Sequence, residues 1–458
     1  MVAPLTLFLA VPVAAGTVPE FTPLAPISHL VGEEAGVQAI ALGDVDLDGI
    51  VDMVAIDEPS DQVVLFIGKG DGTFADALPI GSADLPTAVA IGDLTSPFDS
   101  DTAGDIDGNP DVVVVDDFGA LQIFIGLGDG TFDPPDQSFD DLDTVEIAAV
   151  AIADFNEDGR DDLAILESFD GVYFLCNSLG TLESCPTPVV FLDQFSFELV
   201  DIAVGDFNGG GLDVAAVDVD TGELYPIFGN GDGTFDEEVV PIAIGGLAVE
   251  PRAVRVGRLN GDDLDDLTVL SFDFDSAGST LSVFNGSDGS TTLTRADYPA
   301  GGEGNALVLA DFDGDHRPDA VVVGQEDLGT GGDSVFLKGN AEAGFDAPLS
   351  SGLEALAGGR VLQGADLNDS GMLDLVGAVS GGSQIQVMLN RGPGAASCVG
   401  DCNDDGAVAI NELITGVNIA LGNLDAAACT AIDADGDGVV AINELVRAVN
   451  NALDGCLV

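Results

Sequence analysis

Asp44, Asp46, Asp48 and Asp52 stand at positions 1, 3, 5 and 9 of a nine-residue turn. Ile50 offers a backbone carbonyl at position 7, and Gly49 supplies the bend. Oxygen ligands alone, carboxylates plus a carbonyl, suit a hard cation of calcium's size. Two carboxylates about 5 Å apart repel by roughly 3 kcal/mol at an effective dielectric of about 20, so four in one turn call for a cation among them. The turn recurs seven times, beginning at Asp44, Asp93, Asp154, Asp206, Arg258, Asp311 and Asp366. The sixth copy has the full set, Asp311, Asp313, Asp315 and Asp319, with Arg317 at the carbonyl position. The third places Asn156 among Asp154, Asp158 and Asp162, with Arg160 at position 7. The seventh, Asp366, Asn368, Ser370, Met372 and Asp374, is expected to bind more weakly. The second carries an insertion, which makes its set Asp93, Asp105, Asp107 and Asp111. The fourth, Asp206 to Asp213, is one residue short, and the fifth opens on Arg258, whose guanidinium is expected to bridge Asp262 and Asp266. Calcium is therefore expected in five turns and in neither of these two. Plain polar Asp-Gly turns are the alternative, and the regular recurrence of the spacing speaks against it.

A second acidic duplication lies near the C-terminus. Asp401, Asn403, Asp405, Ala407 and Glu412, then Asp433, Asp435, Asp437, Val439 and Glu444, fall at positions 1, 3, 5, 7 and 12 of two twelve-residue loops, each with Gly at position 6. That is the ligand order of a helix-flanked calcium loop, giving two further expected sites. Each loop runs into a helical pattern, Ile410, Leu413, Ile414, Val417 and Leu421, then Ile442, Leu445, Val446, Val449 and Leu453. Matching registers predict that these apolar faces pack against each other.

The elements that must hold the nine-residue turns are short strands. Each turn follows an apolar stretch such as Gly36 to Gly43 and precedes a run such as Met53 to Ile56. A third strand over Val63–Ile67 and a fourth ending near Ile80 complete the unit, and the units recur every 49 to 61 residues. A period of that size built from strands predicts a β-propeller, here of seven blades. Gly-Asp-Gly-Thr-Phe at 70–74, 128–132 and 231–235 reads as a hairpin turn rather than a metal ligand. The last repeat lacks its fourth strand, and residues 20–31, with Phe21-Thr-Pro-Leu-Ala-Pro, match the missing pattern. They are predicted to close the ring and remove its open edges. The expected fold is an all-β seven-bladed propeller over 17–390, a linker at 391–397 and a small α-helical calcium module at 398–458.

The 458 residues carry 81 Asp+Glu against 11 Lys+Arg, a formal −70. Nucleic acid is excluded as a partner because phosphate binding needs clustered cations. Anionic membranes are disfavoured for the same reason. No apolar run is long enough to span a bilayer. Residues 1–16 have an apolar centre and a small-residue ending at Val13-Ala14-Ala15, as a secretory signal would, without the positively charged start. Six cysteines suit an oxidising compartment. Cys176 and Cys185 flank a tight hairpin and are candidates for a local disulfide, whereas Cys398, Cys402, Cys429 and Cys456 allow three pairings. Zinc is the disfavoured alternative for those four, since no His is near. Only His29 and His316 are present, and neither sits among groups that would make a general base. With no Trp and three Tyr (Tyr173, Tyr225, Tyr298), the chain has few sugar-stacking surfaces.

These repeats resemble the FG-GAP/VCBS family, the blades of the integrin α-subunit head, over residues ~20–390. The resemblance implies calcium in the turn joining each blade's first two strands and ligands on the opposite face. The C-terminal pair is similar to EF-hand and dockerin type I modules, which plug into cohesin receptors. Glu412 and Glu444, where dockerins usually carry Asp, and the extra cysteines depart from that pattern. Together these features predict a secreted or cell-surface, non-catalytic, calcium-binding adhesion protein. Its expected partner is an extracellular protein or glycan, or a cohesin-like receptor. The alternative is a carbohydrate-active enzyme or lectin on a propeller scaffold.

Overall fold

The computed structural model describes the chain except residues 1–18, 28–35, 58–59, 95–106, 117, 137–145, 178–181, 193–197, 237, 246–247, 288, 291, 325–333, 342–343, 350–352, 380–383, 394–398, 401, 403–407, 425–428, 433–439, 441 and 455–458. His29, Asp105, Cys398, Cys456 and the expected ligands Asp401, Asn403, Asp405, Ala407, Asp433, Asp435, Asp437 and Val439 lie outside the described residues.

Seven antiparallel sheets follow one another along the chain. The first five each hold four consecutive strands. The sixth has three, with Leu349 bridging Phe336 beside them. Each first strand packs against that of the next sheet, and the last against the first, which makes a seven-bladed propeller. The second strands, from Asp52–Asp57 in blade one to Asp374–Val379 in blade seven, are buried almost throughout. Their runs of Val, Ile, Leu and Ala are therefore apolar on both faces, without the alternation of a half-solvated strand. The core lies between blades. Phe155 and Phe174 of blade three meet Phe235 of blade four, the last two stacked at 3.7 Å between ring centroids.

In all seven blades the register between first and second strands shifts at the same place, as at Val37/Ala39 and Pro251/Ala253. One extra residue there makes a β-bulge, which re-aims the side chain it carries. Nothing in the apolar patterning announces it.

The ring closes as the sequence predicts. Pro19–Pro23 lies beside the last strand of blade seven, Ile385–Pro393. Leu24 N–H donates to Val387 O at 2.9 Å, and Ile27 and Ile385 exchange both backbone bonds. Residues 28–31 of the predicted segment are outside the described residues. The linker expected at 391–397 needs correction, because Arg391 to Pro393 continue the strand.

The C-terminal unit, taken by itself, holds helices α1 (Ile410–Ala420) and α2 (Ile442–Asp454). They pack around Val399, Ile419, Cys429, Ile432, Val440 and Ala448. Cys402 and Cys429 are bonded, which selects one pairing from the candidates, and the hairpin disulfide Cys176–Cys185 is also formed. The two helices do touch, with Leu413 and Leu445 partly buried against the core, but the predicted contact faces are corrected. Ile410, Ile414, Val417 and Leu421 of α1 and Val446 and Val449 of α2 are exposed, and Gly416 and Ile419 turn inward instead. Glycine at 416 lets α1 lie close to Ile432, where a Cβ would displace the Ile432 Cδ1 methyl. Among the described residues the unit shows two short helices, and the twelve-residue loops themselves are not among them.

Candidate metal centres

In the first turn the carboxylates are organised by the loop's own N–H groups. Asp44 accepts from Asp48 N (3.1 Å) and Gly49 N (2.9 Å), Asp46 from Asp48 N (3.2 Å), and Asp48 from Ile50 N (2.8 Å). Positions 4 and 6 both take left-handed backbone, Leu47 at φ 58° and Gly49 at φ 87°. The chain thus zigzags, and alternate side chains converge. The oxygens of Asp44, Asp46 and Asp48 lie within 4.8 Å of one another, as do those of Asp311, Asp313 and Asp315. The third and seventh turns repeat the arrangement, with Asp154 and Asn156 both facing Asp158 N and with Asp366 and Asn368 both facing Ser370 N. At position 7, the N–H groups of Arg160 and Met372 donate to the side chains of Asp158 and Ser370. In the second turn Asp93 does reach across the insertion, accepting from Gly108 N at 2.9 Å. Burial raises its carboxyl to about 6, with Asp107 and Asp161 adding to the rise.

Position 9 behaves differently. Asp52, Asp111, Asp162, Asp213, Asp266, Asp319 and Asp374 are all fully buried. Each ties at least two backbone donors together, one in the turn and one in or just beyond the last part of the third strand, as Asp52 does with Val45 N (3.0 Å) and Gly68 N (2.8 Å). Blades four and five, where no metal is expected, use Asp213 and Asp266 in the same way. The same clamp is therefore made in all seven blades, including the two whose turns are not expected to hold a cation. Asp213→Ala leaves the N–H groups of Phe207 and Gly229 buried without partners, at about 1–3 kcal/mol each, so a loss of roughly 2–6 kcal/mol is expected. Urea denaturation should show that loss equally with calcium and with chelator, and equal stability of the variant would refute the clamp. Burial lifts the Asp213 carboxyl to about 7, so the fold holds that proton more tightly than the unfolded chain does. The group's contribution is fullest below about pH 4 and is lost as pH rises through about 7, so the gap between wild type and variant should narrow over that window.

The fifth turn is also corrected. Arg258 pairs with Asp265 at 3.1 Å rather than bridging Asp262 and Asp266. Asp262 accepts from Leu264 N, and Asp266 is already held by backbone donors. In the sixth turn, Lys338 reaches in from the end of the third strand to Asp313 and Asp315. Local sequence gave no sign of this, because Lys338 stands 25 residues from Asp313. In the C-terminal unit, Glu412 is buried and accepts from Cys402 N and Ala409 N, both at 2.8 Å. Glu444 is buried as well. In the Gly-Asp-Gly-Thr-Phe turns, Asp71 and Asp232 accept from Thr73 and Thr234 as hairpin residues do.

The other ends of the strands hold residues that motif reading passed over. The residue three places before the bulge's far partner is Glu in four successive blades, namely Glu146, Glu198, Glu250 and Glu303. Arg252, a bulge residue lying over the Phe272 ring, pairs with Glu303 at 3.0 Å and Glu250 at 3.3 Å. Burial pushes the Glu198 carboxyl up, and Asp220, Glu146, Asp218 and Glu250 add to the effect. Phe118, Phe169 and Phe274, in the loops between second and third strands of blades two, three and five, are 63%, 54% and 57% exposed. Aligning the blades by register would have found them.

Residues 21–96 and 105–165 match the FG-GAP-like repeat. Those segments cover blades one and two and the start of blade three. No curated protein matches the chain in sequence. Among solved structures, BBS1N, crystallised in complex with ARL6DN and soaked with lead, is similar at a TM-score of 0.53 and 12% identity, over 81% of this chain and 98% of that one. The periplasmic gluconolactonase PpgL of Pseudomonas aeruginosa is similar at 0.49 and 12%, over 68% of this chain and 84% of that one. At such identities the likeness to BBS1N shows the propeller fold alone.

Proposed function

We propose that this chain is a calcium-stabilised, non-catalytic binding or adhesion protein of the cell exterior. The observation that carries the reading is the convergence of Asp44, Asp46 and Asp48 in one turn of a repeated propeller scaffold, with the same loop hydrogen bonds recurring in the third and seventh turns. Oxygen donors at that density suit calcium, held by Asp side chains, Asn156, Asn368 and the position-7 carbonyls. The ion would neutralise the turns and fix their backbone; chemistry on a substrate is not assigned to it. Two disulfides favour an oxidising compartment. Among the described residues no helix is long and apolar enough to cross a membrane.

Recognition is assigned to the strand ends away from the acidic turns, where exposed Phe118, Phe169 and Phe274 share the loops' end with the glutamates. Exposed aromatic residues beside carboxylates favour a protein partner bearing both basic and apolar residues. The outward apolar stripe of α1 and α2 supports a docking role for the C-terminal unit, of the kind a cohesin-like receptor would use. The test is binding of the full chain to arrayed extracellular proteins and glycans. Retention that requires calcium and falls at least tenfold when Phe118, Phe169 and Phe274 are all replaced by Ala supports the reading. Turnover of a polysaccharide, or retention indifferent to these changes, would overturn it.

A further inference from the structure

The blades share a register point at the end of the third strand, in it or just beyond it. There an N–H donates to the position-9 acid, from Gly68, Gly126, Asn177, Gly229, Gly286, Gly339 and Asn390 in blades one to seven. The residue before each donor is Ile67, Ile125, Cys176, Phe228, Asn285, Lys338 and Leu389. Six of these are uncharged and one is a lysine. In other blades this side chain packs elsewhere, Cys176 being bonded to Cys185 and Leu389 lying over Gly72, whereas Lys338 reaches the carboxylates of its own turn. Lys338 Nζ contacts buried Asp313 and lies 3.0 Å from Asp315 Oδ2. An ammonium is a compact point charge with three donors on a flexible stem, so it can satisfy two carboxylates from within.

The other cationic neighbours of this turn do not explain its difference. Arg317 pairs with Asp315 at 3.0 Å, but Arg160 makes the same pair with Asp158 in the third turn, at 2.9 Å. His316 is almost fully exposed. Among the described ion pairs, only Lys338 adds a charge to the sixth turn that no other acidic turn has.

We propose that Lys338 is a tethered counter-ion occupying the cation position of the sixth turn, so that blade six closes without a divalent ion while the turns of blades one, two, three and seven take one. The inference rests on the calcium reading of those four turns. It departs from the ranking that ligand count alone gives, in which the sixth copy stands with the first as a full site.

Lys338→Ile gives the sixth blade the residue that blades one and two carry. Calcium bound per full-length chain, measured by isothermal titration beside metal analysis, should rise by one in the variant. Its calcium-dependent rise in melting temperature should exceed that of wild type by about 2 °C, the effect of one added site at ten times its dissociation constant. Without calcium the variant should melt below wild type. If wild type binds calcium and the variant gains no site, the tethered-ion assignment fails and the calcium reading stands. If neither protein binds calcium, the calcium reading fails and this inference goes with it. A crystal structure of wild type grown in millimolar CaCl₂ gives a check that does not depend on the variant folding. Ions in the first turn with Lys338 still on Asp313 and Asp315 support the assignment, and an ion in the sixth turn with Lys338 displaced overturns it.

Discussion

Chelating divalent cations is expected to lower the melting temperature of the propeller by about 7 °C. The magnitude follows from site count. Each site with ligand at ten times its dissociation constant adds about 1.4 kcal/mol, so four contribute roughly 6 kcal/mol. Phe21–Asn390 forms the propeller unit. At about 2.1 cal/mol/K of unfolding entropy per residue, roughly 370 residues give about 0.8 kcal/mol per degree, and the quotient is the stated shift. The loss reaches beyond single turns, because the apolar residue at position 2 of each turn is buried and, in turns two, three, four, six and seven, its carbonyl accepts a hydrogen bond from the following blade. Leu94 O accepts from Asn177 Nδ2 (2.8 Å), Phe155 O from Gly233 N (3.2 Å), Phe312 O from Asn390 Nδ2 (2.8 Å) and Leu367 O from Gly72 N (3.0 Å). A turn that loses its cation therefore loosens a junction between blades. Differential scanning calorimetry in calcium and in excess chelator measures the shift, and superimposable melts would mean that the acidic turns hold no ion.

Removing residues 17–31 is expected to have the second large effect, opening the closed ring into one that aggregates. The last strand of blade seven then loses its outer neighbour, leaving both backbone groups of Ile385 unpaired and Val387 O with only its bond from Gln386 Nε2. An open apolar edge of that kind templates pairing with other chains. Phe21 adds a packing term, being buried with its ring edge-on to Phe312 at 5.8 Å between centroids. Phe21→Ala alone should cost about 3–5 kcal/mol. It keeps the backbone pairing and so separates the packing loss from the edge. Size-exclusion chromatography with light scattering reads the truncation, and urea denaturation reads the substitution. A truncated chain that stays monomeric and equally stable would show that the ring does not need this segment.

Much of the fold was legible because its signals are local and repeated. A turn of alternating Asp followed by an apolar run needs only nine or ten neighbouring residues to be recognised, and seven copies fix the period. The hairpin disulfide at Cys176 and Cys185 was readable for the same reason, since its partners are nine residues apart. The pairing of Cys402 with Cys429 was not, because four cysteines in one module leave the choice to packing.

Where expectation and structure part, the deciding contact is distant in sequence or depends on a close approach. Arg258 was expected on Asp262 and Asp266, but the backbone donors of Leu259, Asn260 and Gly286 already hold Asp266. The apolar stripe of α1 was expected inward, but Gly416 lies against Ile432 and most of that stripe faces out.

The sequence by itself determined the number of blades, the position of every acidic turn and the segment that closes the ring, because each follows from periodicity or from a local match of residue types. Tertiary structure alone decided what those acids do. It made the ninth-position aspartates backbone clamps and placed a lysine among the sixth set, since hydrogen bonds and ion pairs form between strands whose register no single stretch of chain specifies.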